Sequence, residues 1–241
     1  MNTPNLSHVL VGGLGLTGQA VIKALQARNH QVLAVDDHPQ SVQETARKLG
    51  VELIDSASAT ELKRALLGAT SVVPSPGIPS HHLLYRLADN SNTQVLSELD
   101  LAAIWDDRPC VAVTGTNGKT TVTELTSQMF SASGMRAAAV GNAETPLVAA
   151  IDDKTNRYEI FVVEASSFRL DRVERFRAHA AAWLNLSPDH LDWHGDFDSY
   201  ATAKSKIWET QHTDDIAVAP HDDPALAPWT SNISAQLITF G

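Results

Sequence analysis

Short apolar runs alternate along the chain with stretches in which apolar residues recur every three or four positions. The runs are rich in Val, Leu, Ile and Ala and are bounded by glycine or an acid, which predicts buried parallel strands; the spaced stretches predict helices. Strands are expected at 8–12, 31–35, 51–54, 71–73 and 93–96, then at 110–113, 136–140, 158–163, 178–184, 216–219 and 236–240. Helices are expected through Val21, Ala24 and Leu25, near 61–67, 82–88, 99–105 and 145–151, and after Lys119, where Val122, Leu125, Met129 and Phe130 recur at helical spacing. Regular alternation of this kind gives an α/β fold. Asp106-Asp107-Arg108-Pro109 breaks the rhythm with charge and proline, so a boundary is expected there, with domains 1–107 and 108–241.

The strand at 110–113 runs into Thr114-Gly115-Thr116-Asn117-Gly118-Lys119-Thr120-Thr121 and then a helix. Strand, glycine loop, lysine-threonine and helix make a phosphate cradle. Backbone N–H groups and the helix N-terminus face the anion, Lys119 adds charge, and a threonine hydroxyl can hold Mg²⁺. The spacing Gly-x-x-Gly-Lys-Thr is shorter than the usual P-loop signature. Residues Gly115, Thr116, Asn117, Gly118, Lys119, Thr120 and Thr121 therefore read as an ATP site.

The first strand is followed by Gly13-Leu14-Gly15-Leu16-Thr17-Gly18, and Asp36 and Asp37 stand 18 and 19 residues beyond Gly18. Glycines let a backbone approach a diphosphate and an acid bonds a ribose hydroxyl, so this is a nucleotide-diphosphate fingerprint on a Rossmann-like unit. Taken alone it also suits an NAD-dependent oxidoreductase, a reading that leaves Lys119, Glu164 and Lys204 without a role. Pro74-Ser75-Pro76-Gly77-Ile78-Pro79 is a stiff loop at the carboxyl end of a strand, where open α/β sheets place ligands.

In the second half, Glu164 ends an apolar strand beside the P-loop, the usual place for a carboxylate that holds a nucleotide-bound Mg²⁺. Asp189, His190, Asp192 and His194 invite a zinc reading, but no cysteine is near and Asp189 adjoins His190, which disfavours a closed tetrahedral site. On the next helix Phe197, Tyr200, Ile207 and Trp208 share one stripe with Lys204 in its middle, while Lys206 points the opposite way. A lysine on an inward stripe either snorkels, pairs with an acid or works inside a site.

Composition narrows the partners. The chain is 43% hydrophobic and 19% charged, ordinary for a globular protein. A net charge of −10 argues against nucleic acid, because no basic surplus exists to neutralise phosphates in bulk. The single cysteine, Cys110, excludes an internal disulfide. No stretch reads as a signal peptide or membrane span, so the expectation is a cytoplasmic protein without a membrane partner, taken as a monomer.

Seven motifs in order give the chain a resemblance to the Mur ligases of peptidoglycan synthesis, and within them to the D-glutamate-adding branch. They are residues 13–18, Ser-Pro-Gly-Ile at 75–78, Gly-Thr-Asn-Gly-Lys-Thr-Thr at 115–121, Gly-Asn at 141–142, Glu-Ala-Ser-Ser-Phe-Arg-Leu at 164–170, Asn-Leu-Ser-Pro-Asp-His-Leu-Asp at 185–192 and Tyr-Ala-Thr-Ala-Lys at 200–204. Arg169 stands where glutamine is common in the family. The resemblance implies a Rossmann-like UDP-substrate-binding domain, then a P-loop mononucleotide-binding α/β domain, then a third domain that brings the amino acid. This chain is expected to hold the first, most of the second and none of the third, which leaves open a binding module that does not ligate.

The implied reaction joins D-glutamate to UDP-N-acetylmuramoyl-L-alanine through an acyl phosphate made from ATP. The implied roles are catalysis for Lys119, His190 and Lys204, and Mg²⁺ ligation by Thr120, Glu164 and His190. Lys204 would join the metal set as a carbamate. Leu16, Thr17, Asp36, Asp37 and Gly77 would meet the UDP part, and Asn142, Ser166 and His190 the muramoyl-alanine part.

Overall fold

A computed structural model describes residues 3–56, 58–141, 145–231 and 233–241. The chain divides into two compact units, Met1–Glu98 and Leu99–Gly241.

The first unit is a parallel sheet. Its strands are β1 (His8–Gly12), β2 (Gln31–Asp36), β3 (Glu52–Asp55), β4 (Ser71–Pro74) and β5 (Gln94–Val95), in the order β3-β2-β1-β4-β5. Successive strands are added outward in one direction from β1 to β3 and in the other from β4 to β5, so the parallel loops after β1 and β4 open a crevice at their carboxyl ends. Helices α1 (Leu16–Ala27), α2 (Pro39–Leu49), α3 (Ala59–Gly68) and α4 (Leu83–Asn90) connect the strands. Leu10, Val35, Leu62, Leu66, Val72 and Leu84 form the core on one face, each burial contributing roughly 1.5–3 kcal/mol. No apolar stripe announces α2, because Ala46 alone among its residues is buried; its signals are Pro39 at the start and the left-handed Gly50 at the end.

Next in sequence after β5 comes α5 (Glu98–Trp105). The boundary expected at 107/108 lies beyond this helix, whereas the compact units part at 98/99. The physical reason is Asp100, fully buried, whose carboxylate accepts N–H bonds from Glu174, Arg175 and Phe176 at 2.7–3.1 Å and so ties α5 to the second unit.

The second unit is also all-parallel, in the order β11-β10-β9-β6-β8-β7. Its strands are β6 (Cys110–Thr114), β7 (Ala137–Gly141), β8 (Ile160–Glu164), β9 (Ala180–Trp183), β10 (Ile216–Pro220) and β11 (Gln236–Phe240). Around them lie α6 (Lys119–Ala132), α7 (Leu147–Ile151), α8 (Ser167–Leu170), α9 (Leu191–His194), α10 (Phe197–Glu209) and α11 (Ala227–Thr230). Central β6 is flanked by β8 and β9, so the loops after these three strands meet at one edge. The helix after Lys119 forms, but its apolar stripe does not face the sheet. Thr123 and Ser127 are buried, while Leu125 is 55% and Met129 64% exposed. The small inward side chains suit close approach of α6 to β7 and β8, where Ala137 to Ala139 are equally small. On α10 the expected stripe is buried at Tyr200, Lys204, Ile207 and Trp208, while Phe197 at the start of the helix is only half-buried.

Among the described residues no helix is long and apolar enough to cross a membrane.

Candidate functional site

In the first unit the loops after β1, β2 and β4 lock together. Gly13 N–H donates to Val35 O, Ser75 N–H to Gly12 O, and the Ser75 hydroxyl to Gly13 O at 3.0 Å. A Cβ on Gly18 would lie 1.8 Å from Gly13 O, so the last glycine of the fingerprint is demanded by the turn itself. Leu16 is exposed at the start of α1, Thr17 is buried, and Gly77 is exposed in the loop after β4.

The two acids part company. Asp36 accepts Leu14 N–H at 2.8 Å on one oxygen and His38 N–H at 2.9 Å on the other. Asp36, expected at the ribose, therefore holds the glycine loop. Asp37 is 51% exposed and accepts from the Ser56 hydroxyl and from His82 Nε2 at 3.0 Å. Leu84 N–H donates to His82 Nδ1, which places the imidazole proton on Nε2 facing Asp37.

The second unit builds the phosphate cradle. Residue 118 must take φ +84° to turn the loop into α6, a left-handed conformation that glycine adopts without cost. Asn185, after β9, clamps the loop from above: its Oδ1 accepts from Thr116 N (3.0 Å) and Asn117 N (2.9 Å), and its Nδ2 donates to Asn117 O. Thr116 Oγ1 exchanges bonds with Ser187 and lies 3.1 Å from the Tyr200 hydroxyl. Motif spacing did not mark Asn185 or Tyr200 as loop supports, since both reach the loop from more than 60 residues away.

Two lysines converge here. Lys119 Nζ donates to Gly115 O and Thr116 O, each at 3.0 Å, and Lys204 Nζ donates to the same Gly115 O at 2.7 Å. Lys204 is 1% exposed, with its nitrogen 4.6 Å from the centre of the Tyr200 ring. Burial, and then the charge of Lys119, lower its pKa to about 7, against an opposing pull from Asp189. The lowering favours the free amine, the form able to add CO₂. Lys206, expected to point away, is half-buried and donates to Asp171 O, because α8 packs against that face of α10.

For a cation the described residues offer oxygen. Thr120 Oγ1 donates to Glu164 Oε2 at 2.8 Å, and Glu164 is buried at the end of β8. A hydroxyl and a carboxylate beside a phosphate cradle fit the donor preference of Mg²⁺. Ser166 follows, its buried Oγ without a hydrogen-bond partner among the described residues. His190 is half-exposed, left-handed at φ +52°, with its ring 4.7 Å from that of Phe168. Asn142 lies outside the described residues. Cys110 offers no thiolate, since burial pushes it up to about 12.

The pattern of the Mur ligase middle domain matches residues 113–241. The chain is 38% identical over 233 residues to UDP-N-acetylmuramoylalanine--D-glutamate ligase of Citrifermentans bemidjiense, covering 95% of this chain and 51% of that protein. The corresponding ligase of Thermoanaerobacter pseudethanolicus is 35% identical over 233 residues, covering 96% and 51%. The chain thus spans about half the length of the curated relatives it matches. Among solved structures, the UDP-N-acetylmuramate:L-alanyl-gamma-D-glutamyl-meso-diaminopimelate ligase of Neisseria meningitides aligns with TM-score 0.62 at 18% identity, over 98% of this chain and 78% of that one. A murein peptide ligase of Psychrobacter arcticus aligns with TM-score 0.54 at 18% identity, over 97% and 53%. At these identities the structural likeness speaks for the fold.

Proposed function

The chain belongs to the Mur ligase family, and from that premise we propose that it carries the UDP-substrate-binding and ATP-binding parts of a ligase that adds D-glutamate to UDP-N-acetylmuramoyl-L-alanine. The observation that carries the reading is the convergence of Lys119 and Lys204 on the Gly115 carbonyl, beside the Thr120–Glu164 pair.

In this reading the muramoyl-alanine carboxylate attacks the γ-phosphorus of ATP, the bond to ADP breaks, and an acyl phosphate forms. The D-glutamate nitrogen then attacks the acyl carbon, loses a proton and expels phosphate. An anion attacking an anion needs positive charge in place beforehand. Lys119 supplies it by exchanging its two loop carbonyls for phosphate oxygens, while the loop N–H groups, held by Asn185, face the same anion. Thr120 and Glu164 would hold one Mg²⁺, and His190 with carbamylated Lys204 a second; bound Mg²⁺ neutralises phosphate charge and orients the reacting oxygens. Lys204 reaches the carbamate when its neutral amine bonds to CO₂ and a proton leaves to water. Leu16, Thr17, Asp37 and Gly77 meet the UDP part, with Asp36 supporting the loop, and Ser166 meets the muramoyl-alanine part.

Thermal unfolding with Mg-ATP, and separately with UDP-N-acetylmuramoyl-L-alanine, tests the reading. Each ligand at 100 times its Kd adds about 2.7 kcal/mol if it binds the folded chain alone. Lys119→Ala is expected to lose the Mg-ATP shift and keep the other. A shift with NAD but none with the UDP-sugar would return the first unit to dinucleotide chemistry. Binding of both ligands without D-glutamate-dependent phosphate release, after the remaining half of a relative is supplied, would assign a binding module instead.

A further inference from the structure

His190 sits in a backbone conformation that a residue with a side chain keeps only when its surroundings enforce it. At φ +52° it lies in the left-handed region, which is unfavourable for a non-glycine residue. Part of the enforcement is local: His190 N–H donates to Asp189 Oδ1 at 2.9 Å, and His190 O accepts from Trp193 N and His194 N. That turn is α9, four residues long, and a single turn does not hold itself in water. Its anchor must come from elsewhere in the second unit.

The anchor is visible at the far end of the turn. His194 is buried, and its Nε2 lies 2.9 Å from the hydroxyl of Ser167, also buried, at the start of α8. Between these two residues and His190 stands Phe168. His194 stacks on it at 5.7 Å with the planes 5° apart, Trp193 meets it edge-on at 5.0 Å, and His190 packs on it at 4.7 Å. Pulling His194 away would unseat the turn whose first carbonyl belongs to His190.

We propose that Ser167 and His194 form a latch that fixes the loop after β9 against α8 and thereby holds His190 where it meets the metal and substrate. His194 is a positioning residue in this scheme: it touches neither ligand and acts through His190. The proposal rests on the reading of His190 as a ligand-binding group.

The test is the imidazole proton resonances of His190 in the full chain, assigned by their loss in His190→Asn. In the unaltered chain the Phe168 ring displaces them from the position of a free histidine. Ser167→Ala and His194→Leu are each expected to move them towards that position, and the double variant no further, because the two changes break one link. His194→Gln, whose amide nitrogen can reach Ser167, is expected to restore most of the displacement. With Mn-ATP present, the His190 signal broadens in the unaltered chain and less in the latch variants. Unmoved His190 resonances in folded Ser167→Ala would overturn the latch; that variant removes one oxygen, so it carries the test should His194→Leu fail to fold. No broadening by Mn-ATP in the unaltered chain would overturn the reading of His190, while the displacement still reports on the latch.

Discussion

Lys204 meets two opposed demands. It is buried against Tyr200, where an ammonium is poorly solvated, and it points at a carbonyl that Lys119 already occupies. Its pKa is lowered from 10.5 to about 7, so between those values the unfolded chain holds a proton that the folded chain releases. Stability from this group therefore rises with pH across that window, and the full penalty, roughly 4–5 kcal/mol at most, is present at pH 7 and below. Lys204→Met is expected to raise the unfolding temperature at pH 7 in CO₂-free buffer, and to flatten the rise between pH 7 and pH 9. An unchanged slope would show that other groups set it. The same variant should lose any ligase activity, a trade of function for stability. Asn185 offers a simpler test. Asn185→Ala removes the acceptor for two loop N–H groups and is expected to cost about 1–3 kcal/mol, with weaker Mg-ATP binding measured by calorimetry.

Among the elements, α5 shows how one carboxylate decides to which body a helix belongs. Asp100→Ala would leave the N–H groups of Glu174, Arg175 and Phe176 without their acceptor. The expected loss is about 3 kcal/mol or more from the second unit, read as a lower urea midpoint with the Mg-ATP shift still present. A loss that falls on the UDP-sugar response instead would attach α5 to the first unit. Helix α6 carries the opposite lesson. Its apolar stripe looks like a core face, yet Leu125 and Met129 face outward, because close approach of α6 to alanine-rich β7 and to β8 suits the small side chains of Thr123 and Ser127.

For the molecule as a whole, two separate sheets each place glycine loops at the carboxyl ends of their strands. Gly18→Ala would drive a Cβ into the Gly13 carbonyl and is expected to destabilise the first unit and abolish its response to the UDP-sugar. The Mg-ATP shift of the second unit should survive. Loss of both responses would mean that the two sheets do not fold independently.

Much of this was legible in the sequence. The strands, the two glycine loops, the acid at the end of β8 and the inward face of Lys204 follow from contiguous residues whose spacing maps directly onto strand and helix geometry. The tertiary structure decided which partner each polar group found. Asp36 turned to its own glycine loop while Asp37 faced outward, Lys206 capped a carbonyl across α8, Asn185 clamped a loop 68 residues away, and His194 found Ser167. Spacing determines which side of an element a residue occupies. The identity of what lies opposite depends on chain segments brought there by folding, and local pattern carries no record of them.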